Sequence, residues 1–147
     1  MLHNKRILLG ITGSIAAYKS ALLARELQRR GAEVRVVMSK AATEFITPLT
    51  LATLTDHRVY SDFTESVDQG TWTNHVELGL WADAFLIAPA TAQTLSSMVQ
   101  GAGDSFLLAV HLSSRCPVVV APAMDLDMFT HPATQQNLKT LSERGVG

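Results

Sequence analysis

Four short segments of the sequence place glycine, hydroxyl, amide or carboxylate groups directly after an apolar run. They span residues 10–15, 39–42, 89–94 and 122–128. In a parallel β-sheet the carboxyl ends of the strands meet at one edge, and ligands bind in the crevice outside that edge. If the apolar runs are parallel strands, we expect the four segments to form one binding site.

The first segment leads from an apolar run through Gly13 and Ser14 into a helical pattern. Free backbone N–H groups and the helix dipole at such a helix start favour a phosphate group, although a plain strand-to-helix turn explains the residues equally well. The segment is not a G-x-G-x-x-G fingerprint. The second strand ends in Ser39-Lys40, without a carboxylate to hold an adenosine ribose. These features disfavour NAD and favour a ligand with one phosphate.

The third segment, Pro89-Ala90-Thr91-Ala92-Gln93-Thr94, offers two hydroxyls and an amide at another predicted helix start. These groups can contact a ligand, and Thr91 can equally serve as the N-cap of the helix. Both functions need the same backbone position, so the sequence leaves the two readings open.

The fourth segment holds Met124, Asp125, Asp127 and Met128. The methionines can fill gaps in the core or form soft walls against a flat ring. Two acids two residues apart can also contribute to a metal site, but no histidine stands at helical spacing with them, so we predict no metal.

One histidine stands apart from these segments. His75 lies in the stretch TNHVELGLWAD, just before the apolar run 84–88. Neutral imidazole suits general base chemistry near pH 7, but a histidine ahead of a helix is more often a capping or surface residue. Cys116, beside Pro117, is predicted to be a small buried side chain and not a nucleophile. The remaining histidines are expected at the surface or in packing contacts.

The elements that must position these residues follow from periodicity. Continuous apolar runs predict buried strands at 6–9, 34–38, 84–88 and 117–121, and helical spacing predicts helices at 15–30, 91–100, 105–113 and 132–144. One or two short helices are expected within 40–54, and a loop with one short edge strand within 55–70. Apolar strands alternating with helices indicate an α/β fold, with a doubly wound parallel sheet covered by helices on both faces.

Composition limits the class of protein. A chain of 147 residues, 47% hydrophobic and 17% charged, fits one domain with a real core. The net charge of −1 gives no attraction to nucleic acid or to an anionic membrane. No run approaches the ~20 apolar residues that span a bilayer. A single cysteine rules out an internal disulfide, and a reducing, cytoplasmic setting is expected.

Taken together, four motifs carry a resemblance over essentially the whole chain. GITGSIAAYK, VVMSKAA, NHVELGLWADAFLIAPATAQT and VVVAPAMDLDMF occur in an order and at spacings similar to those of the flavin-dependent cysteine decarboxylases. The nearest branch acts on phosphopantothenoylcysteine in coenzyme A biosynthesis. The resemblance implies a Rossmann-like flavoprotein domain over residues 1–147 that binds FMN, and a homo-oligomer built from trimers with its active sites at subunit contacts.

The resemblance also implies roles for individual residues. His75 matches the active-site histidine, and Met124 and Asp125 match the substrate-binding motif. The residues expected to bind FMN are Gly13, Ser14 and Ile15 near the phosphate, together with Ser39, Thr91, Ala92, Gln93 and Thr94. Gln93 and Asp125 each stand where the family usually has asparagine, and Phe129 stands in place of tryptophan.

The implied chemistry is an oxidative decarboxylation. FMN oxidises the cysteinyl CH₂–SH to a thioaldehyde, after which CO₂ leaves to give an enethiolate. In the coenzyme A branch, a cysteine on a mobile flap then donates a proton in a final reduction. That segment, and the ligase domain often fused to this branch, would follow Gly147. We therefore expect the given chain to oxidise and decarboxylate without completing the reduction.

Two alternative functions come from the same family. One is decarboxylation of a peptide's C-terminal cysteine in lantibiotic synthesis, which stops at the enethiol. The other is a non-catalytic FMN-binding protein of the halotolerance type, which regulates a phosphatase by binding it.

Overall fold

The chain folds around a four-stranded parallel sheet. The computed structural model describes residues 1–61, 64–66, 71–72 and 74–147. The sheet has the order β2-β1-β5-β6 and contains β1 (Arg6–Ile11), β2 (Glu33–Met38), β5 (Ala84–Ala90) and β6 (Val118–Pro122). A separate antiparallel pair joins β3 (Thr64–Ser66) to β4 (Thr71–Trp72). The doubly wound parallel sheet expected from the sequence is confirmed.

Seven helices cover the sheet in the part of the chain that is described. They are α1 (Lys19–Arg29), α2 (Pro48–Thr55), α3 (His75–Trp81), α4 (Ala92–Gln100), α5 (Phe106–Ser113), α6 (Leu126–Thr130) and α7 (Pro132–Glu143), with 3₁₀ turns at Ile15–Tyr18 and Ala41–Glu44. None of the helices among these residues is long and apolar enough to cross a membrane. The periodicity did not predict the short helix α6.

The core lies on both faces of the sheet because successive side chains of a strand point to opposite sides. On β1, Leu9 and Ile11 join the cluster under α1 and α2, whereas Leu8 joins the cluster under α3, α4, α5 and α7. All three side chains are fully buried. Apolar residues are therefore required at every position of the central strands, which explains the continuous apolar runs in the sequence.

The apolar positions of the segment predicted to be helical over 15–30 divide between the core and the surface. Leu23 and Leu27 pack against the core beside the buried Ala17 and Ala24, whereas Ile15, Tyr18 and Leu22 are 81%, 57% and 69% exposed. Periodicity identifies a face of a helix, but it does not identify what covers that face.

The strand β6 lies at the edge of the sheet and is only partly covered. Its burial alternates, and Val119 is 42% exposed. On its outer edge, the Gly147 N–H donates to the Val118 carbonyl, and the Val120 N–H donates to the Gly147 carbonyl, each at 2.9 Å.

A single hydroxyl joins the two central strand ends. The Thr12 side chain is 1% exposed; its Oγ1 donates to the Pro89 carbonyl at 2.6 Å and accepts from the Thr91 N–H at 3.0 Å. The Thr12 N–H also donates to the Pro89 carbonyl, at 3.3 Å. This is the point where the chain order reverses between β1 and β5, which is where α/β sheets bind ligands.

Replacing Thr12 with valine tests this bridge. Valine keeps the shape but leaves the Thr91 N–H without its acceptor, so we expect the free energy of unfolding to fall by about 1–3 kcal/mol. Urea denaturation followed by circular dichroism measures the change. The control is Thr12→Ser, which keeps the hydroxyl and is expected to retain most of the stability. Equal losses in the two variants would show that the methyl group, and not the hydroxyl, is what matters.

Candidate active site

A cavity of about 500 Å³ opens at the carboxyl edge of the sheet. It is bordered by the segments that follow β1, β2, β5 and β6, together with the start of α5. Its lining consists of Thr12, Gly13, Ser14, Ser39, Ala41, Thr91, Ala92, Gln93, Thr94, Ser97, Asp104, Ser105, Leu107, Leu108, Ala123, Met124 and Met128. The four segments singled out in the sequence therefore converge on one site.

Most of the predicted site residues lie in this lining, but three do not. The lining includes Gly13, Ser14, Ser39, Thr91, Ala92, Gln93, Thr94 and Met124. Ile15, His75 and Asp125 are outside it. The roles assigned to all of these residues remain predictions.

The hydroxyl groups of the cavity are oriented by helix caps. Ser14 Oγ accepts from the Ala16 N–H at 3.1 Å, and Ser39 Oγ accepts from the Ala42 N–H at 3.2 Å. A hydroxyl that accepts a backbone N–H keeps its own hydrogen for a second partner. At Ser14 and Ser39, capping and ligand binding are therefore compatible.

The same arrangement recurs at the start of α4. Thr91 Oγ1 accepts from the Thr94 N–H at 3.1 Å and donates to Thr94 Oγ1 at 2.9 Å. The Thr94 hydroxyl, as the acceptor of that bond, retains a hydrogen to donate. Gln93 is exposed, and its Nε2 donates to Ser97 Oγ at 3.3 Å, which places its amide along the rim of the cavity.

Gly13 allows the loops after β1 and β2 to meet. A Cβ atom at this position would lie 2.6 Å from the Ala41 Cβ and 3.1 Å from the Ala41 carbonyl carbon. These distances are too short for any side chain, so glycine is required for the loops to close this wall of the cavity.

Sequence reasoning missed one part of the lining and one role. Thr12 lies within the segment 10–15, but its role as a bridge depends on the distant Pro89. Asp104 and Ser105 lie in the connection before α5, where Ser105 Oγ accepts from the Leu108 N–H at 3.2 Å. The N-cap pattern at Ser105 was a usable signal, but nothing local indicated that this helix start faces the strand ends.

Asp125 acts as a helix cap. Its Oδ1 accepts from the Met128 N–H at 2.8 Å, and the side chain is exposed beside the cavity residues Met124 and Met128. An N-cap needs an acceptor oxygen, which aspartate and asparagine both supply. The substitution of aspartate for the family's usual asparagine therefore preserves the local backbone.

His75 is the first residue of α3, and Asn74 is the cap of that helix. Asn74 Oδ1 accepts from the Val76 and Glu77 N–H groups at 3.0 and 3.2 Å. The capping role open to His75 therefore belongs to Asn74. The half-buried imidazole stands edge-on to the Phe106 ring, with centroids 6.4 Å apart and planes at 89°.

Two titratable groups lie away from this cavity. Burial raises the pKa of the Cys116 thiol, so the thiol stays protonated near neutral pH, which agrees with the prediction that it is not a nucleophile. Burial, followed by the nearby Arg144 charge, lowers the pKa of His111. Both residues border a smaller cavity at the opposite end of the sheet.

The chemistry of the lining fits a flavin nucleotide. Hydroxyl groups able to donate hydrogen bonds cluster at Ser14, Ser39 and Thr94, where phosphate and ribityl oxygens need donors. The opposite side presents apolar side chains suited to a flat ring, namely Leu107, Leu108, Met124 and Met128. The volume is within the usual range for a cofactor site, about 300–1,000 Å³.

Comparisons with known proteins agree with this reading. The Flavoprotein family model matches residues 1–147. The coenzyme A biosynthesis bifunctional protein CoaBC of Vibrio vulnificus (strain YJ016) is 48% identical over 145 residues, which cover 99% of this chain and 36% of the relative. The CoaBC protein of Escherichia coli (strain K12) is 41% identical with the same coverage. The chain thus spans about a third of the length of these relatives.

A third relative differs in its named activity. A cysteine/cysteine sulfinic acid decarboxylase from an unknown prokaryotic organism is 56% identical over 100 residues, which cover 68% of this chain and 28% of the relative.

Solved structures share the fold. The FMN-dependent cysteine decarboxylase SpaF matches with a TM-score of 0.90 at 33% identity. The match covers 99% of this chain and 83% of the SpaF chain. A PPC decarboxylase variant complexed with pantothenoylaminoethenethiol matches with a TM-score of 0.85 at 32% identity. This match covers 98% of this chain and 80% of the decarboxylase chain. These similarities support a flavin as the ligand of the cavity. With a family model that spans its full length, the chain belongs to the Flavoprotein family.

Proposed function

We propose that this chain is an FMN-dependent decarboxylase domain that acts on the cysteinyl group of phosphopantothenoylcysteine in coenzyme A biosynthesis. The observation that carries the proposal is the single cavity in which donors from the ends of β1, β2 and β5 face apolar side chains from α5 and the loop after β6. The CoaBC relatives support the choice of substrate.

In this proposal each group of residues has a separate task. Gly13, Ser14 and Ile15 hold the phosphate, Ser39 and 91–94 hold the rest of FMN, and Met124 and Asp125 form the substrate side. When bound, FMN supplies the two-electron oxidation of the cysteinyl group. His75 takes a proton from that group, since neutral imidazole is an effective base near pH 7.

His75 lies outside the cavity of its own chain, which supports an oligomeric active site. We propose a homo-oligomer, built from trimers, in which His75 of one subunit faces the cavity of another. The exposed apolar side chains support such a contact, because Ile15, Tyr18, Leu22 and Leu126 are all more than half exposed. Ile15, Tyr18 and Leu22 follow helical spacing, and a continuous exposed apolar face marks an interaction site.

Asp125 supports a second candidate function. Its Oδ1 caps α6, and the exposed carboxylate directly follows the cavity residue Met124 in the chain. A free α-ammonium would pair with this carboxylate, whereas the acylated nitrogen of phosphopantothenoylcysteine carries no charge. The 56% identical relative named as a cysteine/cysteine sulfinic acid decarboxylase favours the same alternative, in which free cysteine or cysteine sulfinic acid is the substrate.

The first prediction concerns the cofactor and the base. The purified protein is expected to be yellow and to release FMN on denaturation. His75→Asn is expected to lower CO₂ release by at least about 10²-fold, the scale of general base catalysis, with flavin still bound. Released FMN is identified by chromatography, and CO₂ release is measured with labelled phosphopantothenoylcysteine. A colourless protein that FMN cannot reconstitute would overturn the cofactor, and full activity in the variant would overturn the base.

The second prediction tests the shared site. Gly13→Val forces a side chain against Ala41 and is expected to prevent flavin binding, while His75→Asn removes the base. Each variant alone is expected to be inactive. Co-expression of the two is expected to restore decarboxylation, because one subunit keeps an intact cavity and its neighbour an intact His75. Co-expressed chains that remain inactive despite forming a mixed oligomer would place each site within one chain.

The third prediction separates the two substrates. Asp125→Asn keeps the cap but removes the charge, so it is expected to leave kcat/KM for phosphopantothenoylcysteine within a few-fold of the original. If free cysteine is the substrate, the same change lowers its kcat/KM by about tenfold or more, the usual effect of losing a charged hydrogen bond. The control, Asp125→Ala, also removes the cap and costs about 1 kcal/mol of stability.

A further inference from the structure

A second groove lies between α3 and the outer edge of β2, away from the flavin cavity. It has a volume of about 260 Å³. Its lining includes Arg35, Arg58, Tyr60, Asn74, Glu77 and Trp81, and we refer to it as the arginine groove. Neither arginine is used by the function proposed above.

The Arg35 guanidinium has one nitrogen without an acceptor. Its Cζ lies 4.4 Å from the centre of the Trp81 ring, and its side chain is 29% exposed. The Nη2 atom forms an ion pair with the Glu33 carboxylate at 3.8 Å, whereas the Nε atom is buried without a hydrogen-bond partner. A buried charged donor without an acceptor is costly, so the geometry suits an anion that supplies one.

Other groups in the groove add to this donor set. The Arg58 Cζ lies 4.4 Å from the centre of the Tyr60 ring, so both guanidinium groups stack on aromatic rings. Stacking holds the planar fork of donors in place, an arrangement that suits phosphate and carboxylate groups. Asn74 uses its Oδ1 to cap α3 and keeps its amide N–H groups to donate, while Glu77 contributes an opposing carboxylate.

The groove adjoins the proposed base. Asn74 directly precedes His75 in the chain, and Glu77 lies two residues after it. Tyr60 also stacks on the buried Phe106, with centroids 6.2 Å apart, and Phe106 contacts His75 beneath the surface. Since Asn74 lines the groove beside His75, a substrate whose cysteinyl end is at His75 can extend its other end along α3 into the arginine groove.

We infer that the arginine groove binds the phosphate group of a phosphorylated substrate. The inference rests on the proposed function for the choice of substrate, which carries a phosphomonoester at the end opposite its cysteinyl group. A doubly charged phosphate offers a charged acceptor to the buried Arg35 Nε–H group, and the positive charges of Arg35 and Arg58 offset its repulsion by Glu33 and Glu77. The groove then selects phosphorylated over unphosphorylated acyl-cysteines.

The test compares ligands that differ only in the phosphate. Isothermal titration calorimetry of the flavin-loaded full chain is expected to give at least about tenfold tighter binding of 4'-phosphopantothenate than of pantothenate, the effect of one strong charged contact. Arg35→Gln and the exposed Arg58→Gln are expected to remove this preference. The matched control is Arg115→Gln, at an exposed arginine outside the groove, which is expected to keep it. Titration with inorganic phosphate alone shows whether free phosphate also binds.

The outcomes separate the groove from the function. Equal binding of the two ligands by the original chain, or an equal loss for both ligands in Arg35→Gln and Arg58→Gln, would overturn the phosphate site. A phosphate preference that depends on these arginines, in a protein that releases no CO₂ from phosphopantothenoylcysteine, would support the groove and overturn the proposed function. With an active protein, both variants are expected to raise KM for phosphopantothenoylcysteine and to leave that for pantothenoylcysteine unchanged.

Discussion

The site depends on one buried hydroxyl, that of Thr12. Thr12 belongs to the loop after β1, and its hydroxyl donates to the Pro89 carbonyl near the end of β5 and accepts from the Thr91 N–H just beyond it. These two bonds fix the ends of the two central strands relative to each other. The cavity walls on either side follow from this contact. Gly13 then brings Ala41 against the first loop, and Thr91 begins α4 at a defined position.

Helix capping and ligand binding use the same atoms in this protein. Ser14 and Ser39 accept backbone N–H groups and keep their own hydrogens, while Thr91 passes its hydrogen to Thr94, whose hydroxyl then keeps one. The caps that begin the helices therefore also orient donors toward a ligand. The arrangement needs no lysine or arginine in the lining, and neutral donors at helix starts are sufficient for a single phosphate. It also accounts for Asp125, whose capping oxygen satisfies the start of α6.

The proposed function uses two regions of the chain. Among the described residues, the cavity lies at the strand ends, while His75 and the arginine groove lie along α3 and the outer edge of β2. In the proposed oligomer, a second subunit brings the two together, and the exposed Ile15, Tyr18 and Leu22 are candidates for the contact. An assembly of this kind explains why a catalytic histidine would stand outside its own cavity.

The sequence by itself determined the four strands of the parallel sheet, most of the helices and most of the cavity lining, because burial on both faces forces continuous apolar runs and each binding segment directly follows its strand. It could not show that Thr12 bonds to a segment 77 residues away, that Asp104 borders the cavity, or that Ile15, Tyr18 and Leu22 are exposed. It also left open whether His75 caps α3. These are questions of which distant surfaces meet, and only the tertiary structure decided them, because local periodicity carries no information about contacts between remote segments.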